Sequence, residues 1–166
     1  MDVFKTSSRD VRRSSGAHPK AVTVSRSRTI AASPAAIFAV LSDPARLAGV
    51  LPRVTQVEVI ERGASSARVV AHMRLTPFNA LRAEGEVRWL QDREIVFATR
   101  HPVAVETRLL LCPEDGGTRL DATLTLDLTP LMGPLAALVP HDQVARAAAP
   151  DLEATLQAIA RASEHR

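Results

Sequence analysis

The chain has no tyrosine, a single cysteine and only 3% aromatic residues among its 166 positions. Each shortage excludes something. Without tyrosine, no phenol can serve as a general acid or as a donor to an oxyanion. One cysteine, Cys112, permits neither an internal disulfide nor a cysteine-based zinc site. Lying in RLLLCPE, it is expected to act as a small buried hydrophobe. No apolar run reaches the ~18 residues of a membrane span, and the N-terminus lacks the apolar segment of a signal peptide. These features fit a cytoplasmic protein. With so few rings available, the core must be built from the Val, Leu, Ile and Ala that lift the apolar share to 46%. The length suits one domain with a real core.

Charge is unevenly placed. Residues 1–28 hold seven Lys or Arg against Asp2 and Asp10, whereas the remainder carries 14 basic and 16 acidic residues. The net charge of +3 is therefore a property of the beginning of the chain. A nucleic-acid-binding domain carries its basic patch on the folded body, beside aromatics that stack on bases. This body has neither, so no specific nucleic-acid partner is expected. Residues 1–20 are polar and basic without an apolar period and read as a disordered leader. A weak contact with an anionic surface, or a targeting role, are the other uses it could have.

From Ala21 the pattern changes. AVTVSRSRTIAA predicts a strand, and SPAAIFAVLSDPARL then offers two helix starts ten residues apart. In each, Ser33 or Asp43 can cap free N–H groups, and Pro34 or Pro44 follows at the first helical position. Six more strand signals follow in series, punctuated by Gly63, Pro77, Asp92-Arg93, Pro102 and the hairpin signal EDGG. Alternation assigns faces. Ala67, Val69, Ala71 and Met73 oppose Arg68, His72 and Arg74, and Leu120, Ala122, Leu124 and Leu126 oppose Arg119, Asp121, Thr123 and Thr125. One dry and one wet face indicate an antiparallel sheet.

Thr129-Pro130 opens a final helical region. Leu131, Leu135 and Leu138 begin an apolar spacing, and Val144, Ala148, Leu152, Leu156 and Ile159 continue it as one stripe. Pro150 falls within that stripe in phase, which predicts a bend rather than two helices. If helical throughout, Leu131 to Ala162 would span roughly 45 Å.

The stretches SRTIAASPAAIFAVLSDPARLAGVLPRVTQVEVIER, GGTRLDATLTLDL and DLEATLQAIARASE resemble the SRPBCC or START-like helix-grip superfamily, in particular its polyketide cyclase/dehydrase and coenzyme Q-binding branch. The resemblance runs from about Val22 to Glu164. It implies an α+β fold over residues 21–166: a seven-stranded curved antiparallel sheet, two short helices after the first strand, and a long C-terminal helix held in the sheet's grip. It also implies that the short helices plug one end of the bowl, and that an internal cavity takes an apolar small molecule. Phe38, Leu51, Met73, Trp89, Phe97, Leu109, Leu124, Met132, Leu135 and Leu138 are the expected lining. Trp89 can be the largest core filler or a cavity wall with an N–H to offer a ligand.

Polar groups on the inward register are few. Thr107 falls between Val105 and Leu109, and Thr99 and His101 share that register near Pro102. His101 has a suitable unperturbed pKa for a general base, but it can equally be a rim residue. Glu84 and Glu86 alternate with arginines on the wet face and read as ion pairs rather than an acid/base dyad. His72 lies on that face too. No metal-ligand cluster, phosphate-cradling loop or nucleophile elbow is present, so neither a metal nor a cofactor is expected. Three functions remain: a binding or carrier protein for a lipid, quinone or polyketide-like molecule; a metal-free cyclase or dehydratase using His101 and Thr107; and a non-catalytic domain that docks a partner through the basic leader. The sequence does not fix the oligomeric state.

Overall fold

Both cap signals fold as their chemistry dictates. In the computed structural model, which describes residues 21–165, the first strand β1 (Val22–Ile30) leads into α1 (Pro34–Leu41) and α2 (Pro44–Val50). The Ser33 hydroxyl accepts the Ala36 N–H at 3.2 Å, and the Asp43 carboxylate accepts the Ala45 N–H at 3.0 Å. Six strands follow: β2 (Val54–Arg62), β3 (Ser66–Thr76), β4 (Asn79–Leu90), β5 (Glu94–Thr99), β6 (Ala104–Glu114) and β7 (Gly117–Asp127). They form one antiparallel sheet in the order β1-β7-β6-β5-β4-β3-β2. The expected leader over 1–20, with the surface, targeting and docking roles considered for it, lies outside the described residues.

Alternation sets the faces of the sheet. On β7, Leu120 and Ala122 are buried while Arg119 is exposed, and on β4, Ala83 and Val87 are buried while Arg82, Glu84, Glu86 and Arg88 face water. The outer face carries cross-strand and same-strand ion pairs such as Arg68–Glu61, Arg82–Glu84 and Arg108–Glu94. Two glycines allow close approaches. A Cβ at Gly117 would collide with the Ile30 carbonyl oxygen across the β1–β7 seam, and one at Gly85 would lie 2.8 Å from the Ala98 carbonyl oxygen.

The helical region departs from the sequence expectation. The long helix does not run from Leu131. A short α3 (Thr129–Met132) and a 3-10 turn (Gly133–Leu138) precede α4 (His141–Glu164). Gly133 sits at φ +56, outside the helical region, and Pro134 and Pro140 interrupt the hydrogen-bond ladder. Pro150 does not split α4 into two helices: one helix passes through it. Its stripe is buried at Leu152, Leu156 and Ile159 but only half-buried at Val144 and Ala148. Two ion pairs just after the proline fasten the helix, Asp151 to Arg53 at 3.3 Å and Glu153 to Arg26 at 3.0 Å.

Cys112 is a second correction. Leu109 and Leu111 take the inward register of β6, so Cys112 faces outward, half-buried, with its Sγ 3.7 Å from an Asp121 carboxylate oxygen. It belongs to a polar seam and not to the core. Asp121 also accepts the Ser27 hydroxyl at 2.6 Å and the Arg119 Nε–H at 3.1 Å. The Ser27 hydrogen bond, aided by Arg119, holds the Asp121 carboxyl below its ordinary pKa. Its carboxylate in turn raises the Arg119 guanidinium above its own.

Candidate ligand-binding site

The concave face divides into two halves. Beneath α1 and α2 it is filled. Ile30, Ile37, Leu41, Ile95, Leu120 and Ile159 are each 1% exposed or less, which marks close contact between the plug, the sheet and the C-terminal half of α4. Toward the other end, where β5 runs into β6 and β7 leaves for α3, the same inward register becomes half-buried at Met73, Phe97, Leu124 and Leu126. At this end the concave apolar face of the bowl is thus only half covered.

The expected site residues distribute between the halves. Phe38 and Trp89 border a crevice under the plug, together with Leu41, Leu47, Val69 and Val87. Its volume is about 30 Å³, room for one or two waters. Over the Trp89 ring lies the Arg62 guanidinium, 5.5 Å from the ring centroid, a cation–π contact that closes the crevice from outside. Leu51 is half-buried against the core cluster. Leu109 is fully buried and forms part of the core itself. Met73, Phe97 and Leu124 border the bowl, while Met132, Leu135 and Leu138 stand at its opening with 36%, 59% and 76% exposure.

Thr107 is the polar group of the bowl, half-buried, with Phe97 and Leu124 as its cross-strand neighbours. Thr99 is already engaged: its hydroxyl donates to the Val103 carbonyl at 3.2 Å. His101 is exposed on the loop between β5 and β6, at the rim rather than within. The structure thus places Thr107 on the inward register of β6 and His101 outside, on the loop that leads into that strand. His72, on the outer face, has Nε2 shielded from water and 3.5 Å from a Glu58 carboxylate oxygen. Among the described residues, no three His, Cys, Asp or Glu side chains converge as a metal-binding group would require. Among the described residues, no helix is long and apolar enough to cross a membrane.

Sequence reasoning missed two features. Arg62 was not singled out as a partner of Trp89, because its register on the edge strand β2 shifts at Val59/Glu61. A solvent-open groove of about 660 Å³ between α2 and the C-terminal end of α4, walled by Arg46, Arg161 and His165, also has no sequence signal.

No curated protein is significantly similar to the chain in sequence. Solved structures share its fold. The aromatase/cyclase Zhui from Streptomyces sp. R1128 superposes with a TM-score of 0.71 at 19% identity, over 88% of this chain and 95% of that one. A START superfamily protein from Mycobacterium smegmatis gives 0.70 at 18% identity, covering 87% and 98%. TTHA0849 from Thermus thermophilus gives 0.70 at 22% identity, covering 85% and 96%. The model of the family described as polyketide cyclase / dehydrase and lipid transport matches residues 21–164. With that match spanning nearly the whole described fold, which the START superfamily structure shares, the chain belongs to the polyketide cyclase / dehydrase and lipid transport family.

Proposed function

We propose that the chain binds an apolar small molecule of lipid, quinone or polyketide-like character in the open half of its bowl, and acts as a binding or carrier protein. One observation carries this reading: an inward apolar surface at Met73, Phe97, Leu124 and Leu126 that the protein's own helix leaves half-covered. A ligand that covers such surface gains roughly 25 cal/mol per Å² before ordering costs are subtracted. Thr107, the polar side chain among them, would orient the ligand by a hydrogen bond. Carboxylates and arginines on the neighbouring strands point to the outer face, so general acid–base chemistry has little to draw on inside.

Uptake of an environment-sensitive lipid dye tests the proposal. Wild type should bind it, and Leu124→Glu should lose it while still folding. Absence of uptake across a panel of fatty acids, quinones and polycyclic aromatics would overturn the reading.

A second reading, a cyclase or dehydratase, rests on Thr107 in the inward register of β6 and on His101 at the rim, four residues past Phe97, the cross-strand partner of Thr107. In that case His101→Ala should abolish turnover of a bound polyketide and leave its affinity intact. Turnover that survives the pair His101→Ala and Thr107→Val removes this reading.

A further inference from the structure

Large apolar side chains crowd the opening of the bowl without being buried there. Phe78, at the β3–β4 tip, is 98% exposed, Leu138 76%, Leu131 and Leu135 59% each, and Met132 36%. Five of the nine exposed large apolar side chains among the described residues thus lie at one end of the sheet. Single exposed apolar residues need no explanation, but a cluster of this kind does. Two segments supply it, and the strand order puts both at the same end of the sheet. β3 turns into β4 at this end, β5 runs into β6, and β7 departs into α3. The β3–β4 arm also projects beyond β5: β4 begins at Asn79, yet its pairing with β5 starts only at Gly85, roughly 20 Å further along the strand.

The unpaired charge at this end is positive. Arg74 on β3 and Arg100 on the β5–β6 loop are exposed, and neither has an ion-pair partner among the described residues. Nearby carboxylates are engaged: Asp142 pairs with Arg146 at 3.1 Å, and the Asp127 carboxylate accepts the Thr129 N–H at 2.8 Å.

We infer that this crown docks on an anionic lipid surface. Phe78, Leu131, Leu135 and Leu138 enter the boundary between headgroups and acyl chains, while Arg74 and Arg100 meet anionic headgroups. A second copy of the chain is the poorer occupant. Crown against crown would set the same arginines face to face, and like charges opposed across an interface are costly. Docking in this orientation puts the mouth of the bowl against the bilayer, so that an apolar ligand passes between lipid and protein without crossing water. That last step rests on the proposed ligand binding; the docking itself does not.

Co-sedimentation of the full chain with vesicles tests it. Phosphatidylcholine vesicles containing about 30% phosphatidylglycerol should pellet the protein, and pure phosphatidylcholine vesicles should pellet little. Leu135→Ser with Leu138→Ser, changes at exposed positions that leave thermal unfolding unaltered, should weaken anionic-vesicle binding roughly tenfold or more. Arg74→Glu with Arg100→Glu should remove the preference for anionic lipid. No pelleting with anionic vesicles overturns the inference. So does binding that ignores the leucine changes and vanishes only when residues 1–20 are deleted. Concentration-dependent self-association abolished by the leucine changes also overturns it, because the crown would then join copies of the chain. Dye uptake measured without vesicles separates the two proposals: vesicle binding without dye uptake leaves docking standing and removes the ligand reading, and the reverse result does the opposite.

Discussion

The two halves of the concave face are built from the same strands and the same residue types, yet one is filled and the other is open. Under the plug, Leu120, Ile95 and Ile159 are closed off from water. A few residues along the same strands, Leu124, Phe97 and Met73 are not. The difference comes from the covering layer. α1, α2 and the part of α4 after Pro150 present bulky side chains to the first half. The second half faces Val144, Ala145 and Ala148, too small to fill a bowl, and a 3-10 turn whose leucines point away. Apolar surface therefore serves stability where the protein covers it and, in the proposed function, recognition where it does not.

Substitution across this boundary should separate the two roles. Leu120→Ala or Ile159→Ala should cost about 2–5 kcal/mol, because a fully buried side chain leaves a cavity, and calorimetric unfolding would register it. Met73→Ala or Leu124→Ala should cost much less stability but weaken dye binding. Equal losses on both sides would break the comparison. Gly85→Ala comes next. Its Cβ would press on the Ala98 carbonyl, and a shift of β4 against β5 should cost about 1–3 kcal/mol, read from urea midpoints. Asp43→Ala removes the cap of α2 and should cost about 1 kcal/mol, loosening the plug end specifically in hydrogen exchange.

Asp121→Asn should have the smallest effect, about 1 kcal/mol or less, since the carboxylate is partly exposed. Its pH dependence is the sharper measurement. The Asp121 carboxyl titrates below its ordinary value because the ionised form accepts the Ser27 hydroxyl and the Arg119 guanidinium N–H. Its contribution is therefore present at neutral pH, above the unfolded-state pKa, and is lost as pH falls through the lower folded-state value. Wild type and variant should begin to converge in stability only below about pH 4, and should converge fully beneath the lowered folded-state value. A gap that persists in acid would assign the effect to something other than ionisation.

Much of this architecture was legible in the chain because local signals and burial agreed. Ser33-Pro34 and Asp43-Pro44 cap helices whether or not the rest folds around them, and alternation in β4 and β7 assigns their faces directly. The resemblance to helix-grip proteins supplied the closure of strands into a bowl. Legibility failed where periodicity and backbone chemistry conflicted. Leu131, Leu135 and Leu138 have helical spacing, but Gly133, Pro134 and Pro140 break the ladder and turn those leucines toward water. Cys112 looked apolar beside three leucines, although its register places it opposite Arg119 on the outer face. Leu109 and Leu124 share the inward face, and nothing in their spacing says that only the first is sealed. That distinction depends on the size of the side chains that cover them, which belong to helices distant in sequence from both strands.

The fastening of α4 has a mechanical consequence. Arg53 and Arg26 hold it at Asp151 and Glu153, immediately beyond a proline that cannot donate to the preceding turn. The fully buried residues of the helix, from Leu152 to Ser163, all follow that proline. The backbone ladder is thus interrupted where the sealed part of the helix begins, so that bending at this point would spare the sealed half of the molecule.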